Sequence, residues 1–267
     1  MDKELCFENT SLDGEVHFLR KPDSYVSKIL CFPMSACDDL RDRLGVLLED
    51  GFIYLLESGV KIHGLRILGR GYTAVVVVAY NSTHGLGSLK LLRSDSRRSS
   101  LVKEAEIMKL VETTGLSPKV YLYKDFYVFY ELLPPHICKS ITFILDELII
   151  NNRVDYLKRL LYNMLKSLHQ LDQLGVDHSE INRPDGHIFY CSGSIKIIDW
   201  ESARVSRKPS NLTSFISYLI YRYKYASRIR EVLKIDTSIV LNLLRSYKTY
   251  YSIELFDEIA RSMSLQP

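Results

Sequence analysis

Four charged positions, spread along the chain, carry the most chemical information. Asp199 closes the run Ile197-Ile198-Asp199-Trp200-Glu201, in which two β-branched residues deliver a carboxylate to a strand end, a placement suited to a hard divalent cation. Lys90 stands in the apolar stretch 88–92, where an ammonium is costly to bury unless a carboxylate or a phosphate pairs with it; a strand lysine turned to solvent is the plainer alternative. Glu104 and Glu106 follow on a predicted helix, about 200° apart around its axis, so that only one of them can face Lys90. Glu180 lies in the loop Gly175-Val176-Asp177-His178-Ser179-Glu180, just past a long amphipathic segment. Gly69-Arg70-Gly71-Tyr72-Thr73-Ala74 sits between two predicted strands, where glycines let backbone N–H groups approach an anion without a Cβ in the way; an ordinary hairpin turn uses the same residues. Taken in order these are the parts phosphoryl transfer needs: a backbone cover, a lysine held by a glutamate, an acid to place the acceptor hydroxyl, and a metal ligand.

These residues have to be positioned by the surrounding elements. Residues 67–68 and 74–80 read as strands on either side of the glycine turn, and 88–92 as a third strand after a Gly85-Leu86-Gly87 turn. A helix is predicted over 100–112, then a strand pair, 120–123 and 126–132, turning at Lys124-Asp125. Pro134 and Pro135 break the sheet, because proline cannot donate to a ladder. Beyond them the pattern becomes helical: 140–151, then 154–173 with Leu157, Leu160, Leu161, Met164, Leu165 and Leu168 on one face, closed by Gly175. A short hairpin, 187–190 with 194–199, precedes a last helical group over 210–263. The stretch before residue 65 mixes short helical and extended signals, the best helix covering 38–49. The organisation expected is an N-terminal extension over 1–64 packed on a β-rich lobe over 65–133, followed by a mostly helical lobe over 134–267.

With 267 residues, 46% hydrophobic and 25% charged, the chain can bury a sizeable core, and it has no apolar run of about 18 residues that would span a bilayer. The opening MDKELCFENT has no basic stretch followed by an apolar one, so a cytoplasmic location with no membrane partner is expected. Cys6, Cys31, Cys37, Cys138 and Cys191 form no C-x-x-C pair and read as buried thiols. Glycosylation sequons at Asn9, Asn81 and Asn211 carry no weight in that setting. The balance of 35 basic and 32 acidic residues gives no bulk signal for nucleic acid. Local clusters do exist: Arg93 with Arg97 and Arg98, Arg204 with Arg207 and Lys208, and Arg222, Lys224, Arg228 and Arg230 interleaved with Tyr221, Tyr223 and Tyr225. They leave a ribonucleoprotein partner open, with solvated helix faces as the plainer reading.

Lys90, Glu104 in Lys103-Glu104-Ala105-Glu106-Ile107-Met108, the His178-Ser179-Glu180 loop and Ile198-Asp199-Trp200-Glu201 together resemble the RIO-like branch of atypical serine/threonine kinases. More closely, the chain resembles small archaeal serine/threonine protein kinases related to RIO and lipopolysaccharide kinases. Lys61-Ile62-His63-Gly64-Leu65 and Arg207-Lys208-Pro209-Ser210-Asn211 extend the likeness over roughly residues 51–219. The resemblance implies an α+β, two-lobed protein-kinase-like fold, with one main helix in the β-rich lobe, and phosphoryl transfer from ATP with magnesium or manganese to a hydroxyl of an unidentified protein or small molecule. Carried over residue by residue, Gly69, Gly71, Lys90, Glu104, Glu131 and Leu133 would contact the nucleotide, Glu180 and His178 would form the catalytic loop with Lys90, and Asp199 would hold the metal. The expected asparagine position is Asp185, with His187 standing just before the next strand, so either could complete the metal site, as could Asn182 if the loop folds back. Only about ten residues separate Asp199 from the next predicted helix, too few for a long activation segment. The alternatives are an ATP-binding pseudokinase or ATPase-like switch, since Glu180 and Ala74 depart from the pattern, and a small-molecule kinase of the aminoglycoside or choline type.

Overall fold

The computed structural model describes residues 14–265, so Cys6 and Asn9 lie outside the described residues. The protein is a mixed α+β chain, rich in sheet toward its N-terminus and in helix later. It forms two compact units: one holds the described residues through Met108 together with Pro118–Ile137, the other Lys109–Ser117 and the described residues from Cys138 onward. Among the described residues no helix is long and apolar enough to cross a membrane.

The first unit contains β1 (Glu15–Phe18), α1 (Ser24–Leu30), α2 (Leu40–Glu49), β2 (Phe52–Glu57), β3 (Val60–Ile62), β4 (Leu65–Ile67), β5 (Gly69–Arg70), β6 (Ala74–Asn81), β7 (Gly85–Leu92), most of α3 (Val102–Glu112), β8 (Val120–Lys124) and β9 (Tyr127–Glu131). Its sheet is antiparallel in the order β1-β2-β6-β7-β9-β8, with β5 also paired to β6. The valine run of β6 is buried almost throughout, as a central strand requires. Leu19, Ile29, Leu47, Phe52 and Leu55 share one core with Val75, Val77, Leu89, Leu91, Tyr127 and Phe129, so residues before 65 supply strands and core to this sheet.

The turn expected at Gly85-Leu86-Gly87 lies earlier, over 82–84, where the Asn81 side-chain oxygen accepts the N–H groups of Thr83 and His84. Gly87 belongs instead to β7, and its glycine is needed because a Cβ there would come within 2.4 Å of the Phe129 ring. A local turn motif is visible in a sequence; a close approach between strands is not.

The second unit begins with β10 (Cys138–Ser140), α4 (Ile141–Ile150) and α5 (Val154–Gln173), followed by β11 (Val176–Asp177), β12 (Ile188–Cys191), β13 (Ser194–Ile197) and β14 (Arg204–Val205). It ends with α6 (Asn211–Ser217), α7 (Ala226–Val232), α8 (Thr237–Tyr250) and α9 (Ile253–Ser262). The leucine face of α5 is buried, and this helix packs against α4, α6 and α9. Gly175 ends the helix at φ 71°, the left-handed conformation that glycine adopts without penalty. Two small antiparallel sheets, β10-β12-β13 and β11-β14, hold the loops that follow.

Two sequence expectations are corrected here. The Tyr/Arg-rich stretch 221–230 is not one helix: a π-turn over Tyr218–Arg222 gives way to extended backbone at Tyr223 before α7 starts. Tyr223 is buried against Asp146, and Lys224 and Arg228 are paired with Asp146 and Glu231. The four cysteines among the described residues are not free thiols: Cys31 bonds Cys37 in the first unit, and Cys138 bonds Cys191 across the β10–β12 pair. Closing 53 residues, the second bond removes unfolded-chain entropy worth about 4 kcal/mol, and the first, closing 6, about 2 kcal/mol. Cysteine connectivity has no spacing signature in this sequence.

Candidate active site

In the first unit, strand pairing fixes where the lysine points. Lys90 sits in β7 between Val76 of β6 and Val128 of β9, inside the sheet, and it is only 6% exposed. Its Nζ donates to Glu104 Oε1 at 2.6 Å, and Glu104 is 4% exposed. Glu106, on the other side of α3, is exposed, so Glu104 is the helix carboxylate that meets Lys90. Two opposite charges out of water are held by mutual attraction, and each would be costly to leave behind alone.

The glycine turn joins β5 to β6. The Gly71 N–H donates to the Ala74 carbonyl at 2.8 Å, and the Gly71 carbonyl accepts from Arg93 at 3.2 Å. Neither Gly69 nor Gly71 has positive φ, and an added Cβ would meet nothing within 4 Å at Gly69 and only a carbonyl at 3.9 Å at Gly71. The fold by itself therefore does not require glycine at either position. Glu131 ends β9 with its carboxylate accepting the Lys119 N–H, and Leu133 lies half-buried two residues on.

In the second unit the loop after α5 is tied down from several directions. Asp172 occupies the position of α5 that continues the buried Leu165 and Leu168 stripe, and its carboxylate accepts from the Asn211 and Leu212 backbone N–H groups, the Asn211 amide and the Tyr247 hydroxyl. Burial raises its pKa to about 6 even so. Asn211 also donates to the Val176 carbonyl and accepts the His178 N–H at 2.9 Å, so one amide spans the end of α5 and the loop. Asp177 accepts from Ser179 N–H and pairs with Arg204 on the neighbouring strand. Asn211 is 1% exposed, which leaves its sequon a fortuitous pattern.

His178 is completely buried, edge-on to Trp200, with its Nε2 3.1 Å from the Ile198 carbonyl. Burial lowers its pKa to about 4, so the ring is neutral near pH 7 and Nε2 carries the hydrogen given to Ile198. Having no exposed atom, His178 is a positioning residue that links the loop to the backbone just before Asp199. Ser179 and Asp199 both adopt left-handed backbone, at φ 69° and 63°, although neither is glycine. Such conformations cost on the order of 1–3 kcal/mol and persist only where the surroundings impose them.

Glu180 projects from the loop with Oε1 accepting from the Ser202 hydroxyl at 2.5 Å and Oε2 lying 3.3 Å from His187 Nε2. His187 therefore meets the acid of the loop. Asp185 turns elsewhere: its Oδ1 accepts from the hydroxyls of Ser140 and Thr142, each at 2.8 Å. Asp199, His187 and Asp185 do not form a three-ligand cage; among the described residues the grouping close enough to share an ion is Glu15, His17 and Glu57. Asp172, Asn211 and Ser202 had no functional reading in sequence. A lone carboxylate on an otherwise apolar helix stripe is the signal that exposes Asp172, whereas Ser202 has none.

Compared with protein-family models and with curated proteins, this sequence matches none.

Proposed function

We propose that the chain is an ATP- and magnesium-dependent phosphotransferase acting on a hydroxyl, of the atypical RIO-like serine/threonine protein-kinase type. The observation that carries this reading is the buried Lys90–Glu104 pair at 2.6 Å, an ammonium held in one direction inside a sheet that apolar residues could fill at less cost. Lys90 then grips phosphate oxygens, Glu104 fixes its direction, and the open glycines 69 and 71 leave room for phosphate beside the backbone. Glu180, oriented by Ser202 and His187, accepts the hydrogen bond of the acceptor hydroxyl and turns its oxygen toward the phosphorus. Because the transition state is loose, orientation is most of what this acid contributes.

Asp199 would hold magnesium, which neutralises phosphate charge when bound. A single protein carboxylate suits that ion, because magnesium keeps several waters and takes further oxygens from the nucleotide. Glu180 in place of the usual aspartate and Ala74 in place of a third glycine favour a second reading, an ATP-binding switch without efficient transfer. Calorimetric titration with ATP tests the shared premise: binding is expected with magnesium or manganese and lost without them. No heat from a folded sample at millimolar nucleotide would remove both readings.

A further inference from the structure

His17, Glu15 and Glu57 lie on one face of the β1–β2 pair at the edge of the sheet, with strand β6 between that pair and the Lys90 strand. The register explains the grouping: Glu15 is directly opposite Glu57, and His17, two residues along, shares their face. Their ligand atoms all fall within 4.8 Å of one another. Glu15 is exposed, Glu57 half-buried, and His17 only 6% exposed.

The histidine ring is set by its partners. Nδ1 lies 2.6 Å from Asp23 Oδ2, and the same carboxylate caps α1 through the N–H groups of Tyr25 and Val26. The ring stacks on Tyr25 at 4.2 Å, whose hydroxyl donates to the Arg66 carbonyl. A carboxylate accepts only, so Nδ1 carries the hydrogen and a neutral ring presents a lone pair at Nε2. That buried Nε2 makes no hydrogen bond, although Glu57 Oε2 is 3.3 Å away. Glu57 is itself braced, Oε1 accepting the Arg66 N–H at 3.1 Å. A lone pair and two carboxylates converging on one space repel one another unless a cation lies between them.

We propose that Glu15, His17 and Glu57 bind a divalent transition metal of the zinc class, fastening the edge strand to the sheet. Imidazole with carboxylates suits zinc better than magnesium. Two ligands on a tetrahedral zinc, at bond lengths near 2.0–2.1 Å, stand about 3.3 Å apart, which is the Nε2–Oε2 separation found here. The Asp23–His17 contact has the form of the outer carboxylate that orients a metal-bound histidine, and the exposed side by Glu15 leaves a position for water.

The test is competition titration of the full, metal-stripped chain with zinc against a chromophoric chelator, in millimolar magnesium, with cobalt(II) absorption as a second readout. One tight equivalent of zinc is expected, with a tetrahedral cobalt spectrum. His17→Gln should weaken zinc by at least about 100-fold and Glu15→Gln by about tenfold, since even outer partners are worth 10–100-fold. Glu15 touches no core, so its variant separates a lost ligand from a lost fold. A wild-type chain that takes up no equivalent of zinc, or variants that bind it like wild type, would overturn the site and leave a protonated His17 as the charge between the carboxylates.

Discussion

Lys90 and Glu104 neutralise each other inside a sheet-and-helix core, 2.6 Å apart and almost without exposure, whereas Glu180 and Asp199 are carried on loops in which the backbone itself is held in costly conformations. In the first unit a pair of opposite charges supplies its own reason to stay in place. In the second, the acids are half-buried and the fixing is done around them by Asn211, His178 and Trp200. The two regions should therefore fail differently: a change at the pair damages fold and function together, and a change at the loop acids damages function alone.

The largest expected effect breaks the pair. Lys90→Ala leaves Glu104 buried without its cation, at a cost of about 3–5 kcal/mol in stability. Replacing both residues together, Lys90→Met with Glu104→Leu, should recover most of that stability and none of the phosphoryl transfer. Asp199→Asn, by contrast, keeps a residue that tolerates left-handed backbone, so it should shift stability by less than about 1 kcal/mol while cutting transfer by at least about 100-fold. Chemical denaturation and transfer assays on the same samples decide; equal loss of stability in both single variants would erase the contrast.

A second test sharpens the account of the loop through pH. Buried His178 has its folded pKa lowered from 6.5 to about 4, so its contribution is present above 6.5 and lost as pH falls toward 4. Buried Asp172 is raised from 3.8 to about 6, so its contribution runs the other way, present below 3.8 and lost as pH rises through 6. Each is worth about 3 kcal/mol, and between pH 4 and 6 they oppose each other. Asp172→Asn should unmask the histidine and make the chain clearly more acid-sensitive in that window, read as melting temperature against pH. An unchanged acid profile would mean that Asp172 is ionised throughout.

The outline of this contrast is present in the sequence and its mechanism is not. Strand and helix periodicity placed Lys90 in β7 and Glu104 and Glu106 on opposite sides of α3, because burial on one face leaves a period that can be read. Helix α5 spans Val154–Gln173, as its leucine spacing predicts. What did not show was everything settled by contacts distant in sequence: the pairing of β1 with β2, the Cys138–Cys191 disulfide, the Asp172–Asn211 bond across 39 residues, and the turning of Asp185 toward Ser140. The left-handed backbone at Asp199 was equally hidden, since an aspartate after two isoleucines looks like the end of an ordinary strand.

The smallest effect concerns Ser202, whose hydroxyl donates to Glu180. Ser202→Ala should lower transfer only about threefold to tenfold, because His187 still orients the carboxylate, with nucleotide affinity unchanged. A loss as deep as that of Asp199→Asn would make Ser202 part of the chemistry.

Single-turnover transfer from radiolabelled ATP with magnesium, comparing wild type with Glu180→Gln at equal nucleotide occupancy, isolates the role proposed for Glu180. Wild type should transfer phosphate to itself or to a supplied hydroxyl acceptor, and Glu180→Gln should do so at least about tenfold more slowly with ATP affinity nearly unchanged. Equal rates in the two proteins, or a wild type that binds ATP and transfers nothing to itself, to proteins or to small alcohols, would contradict that role.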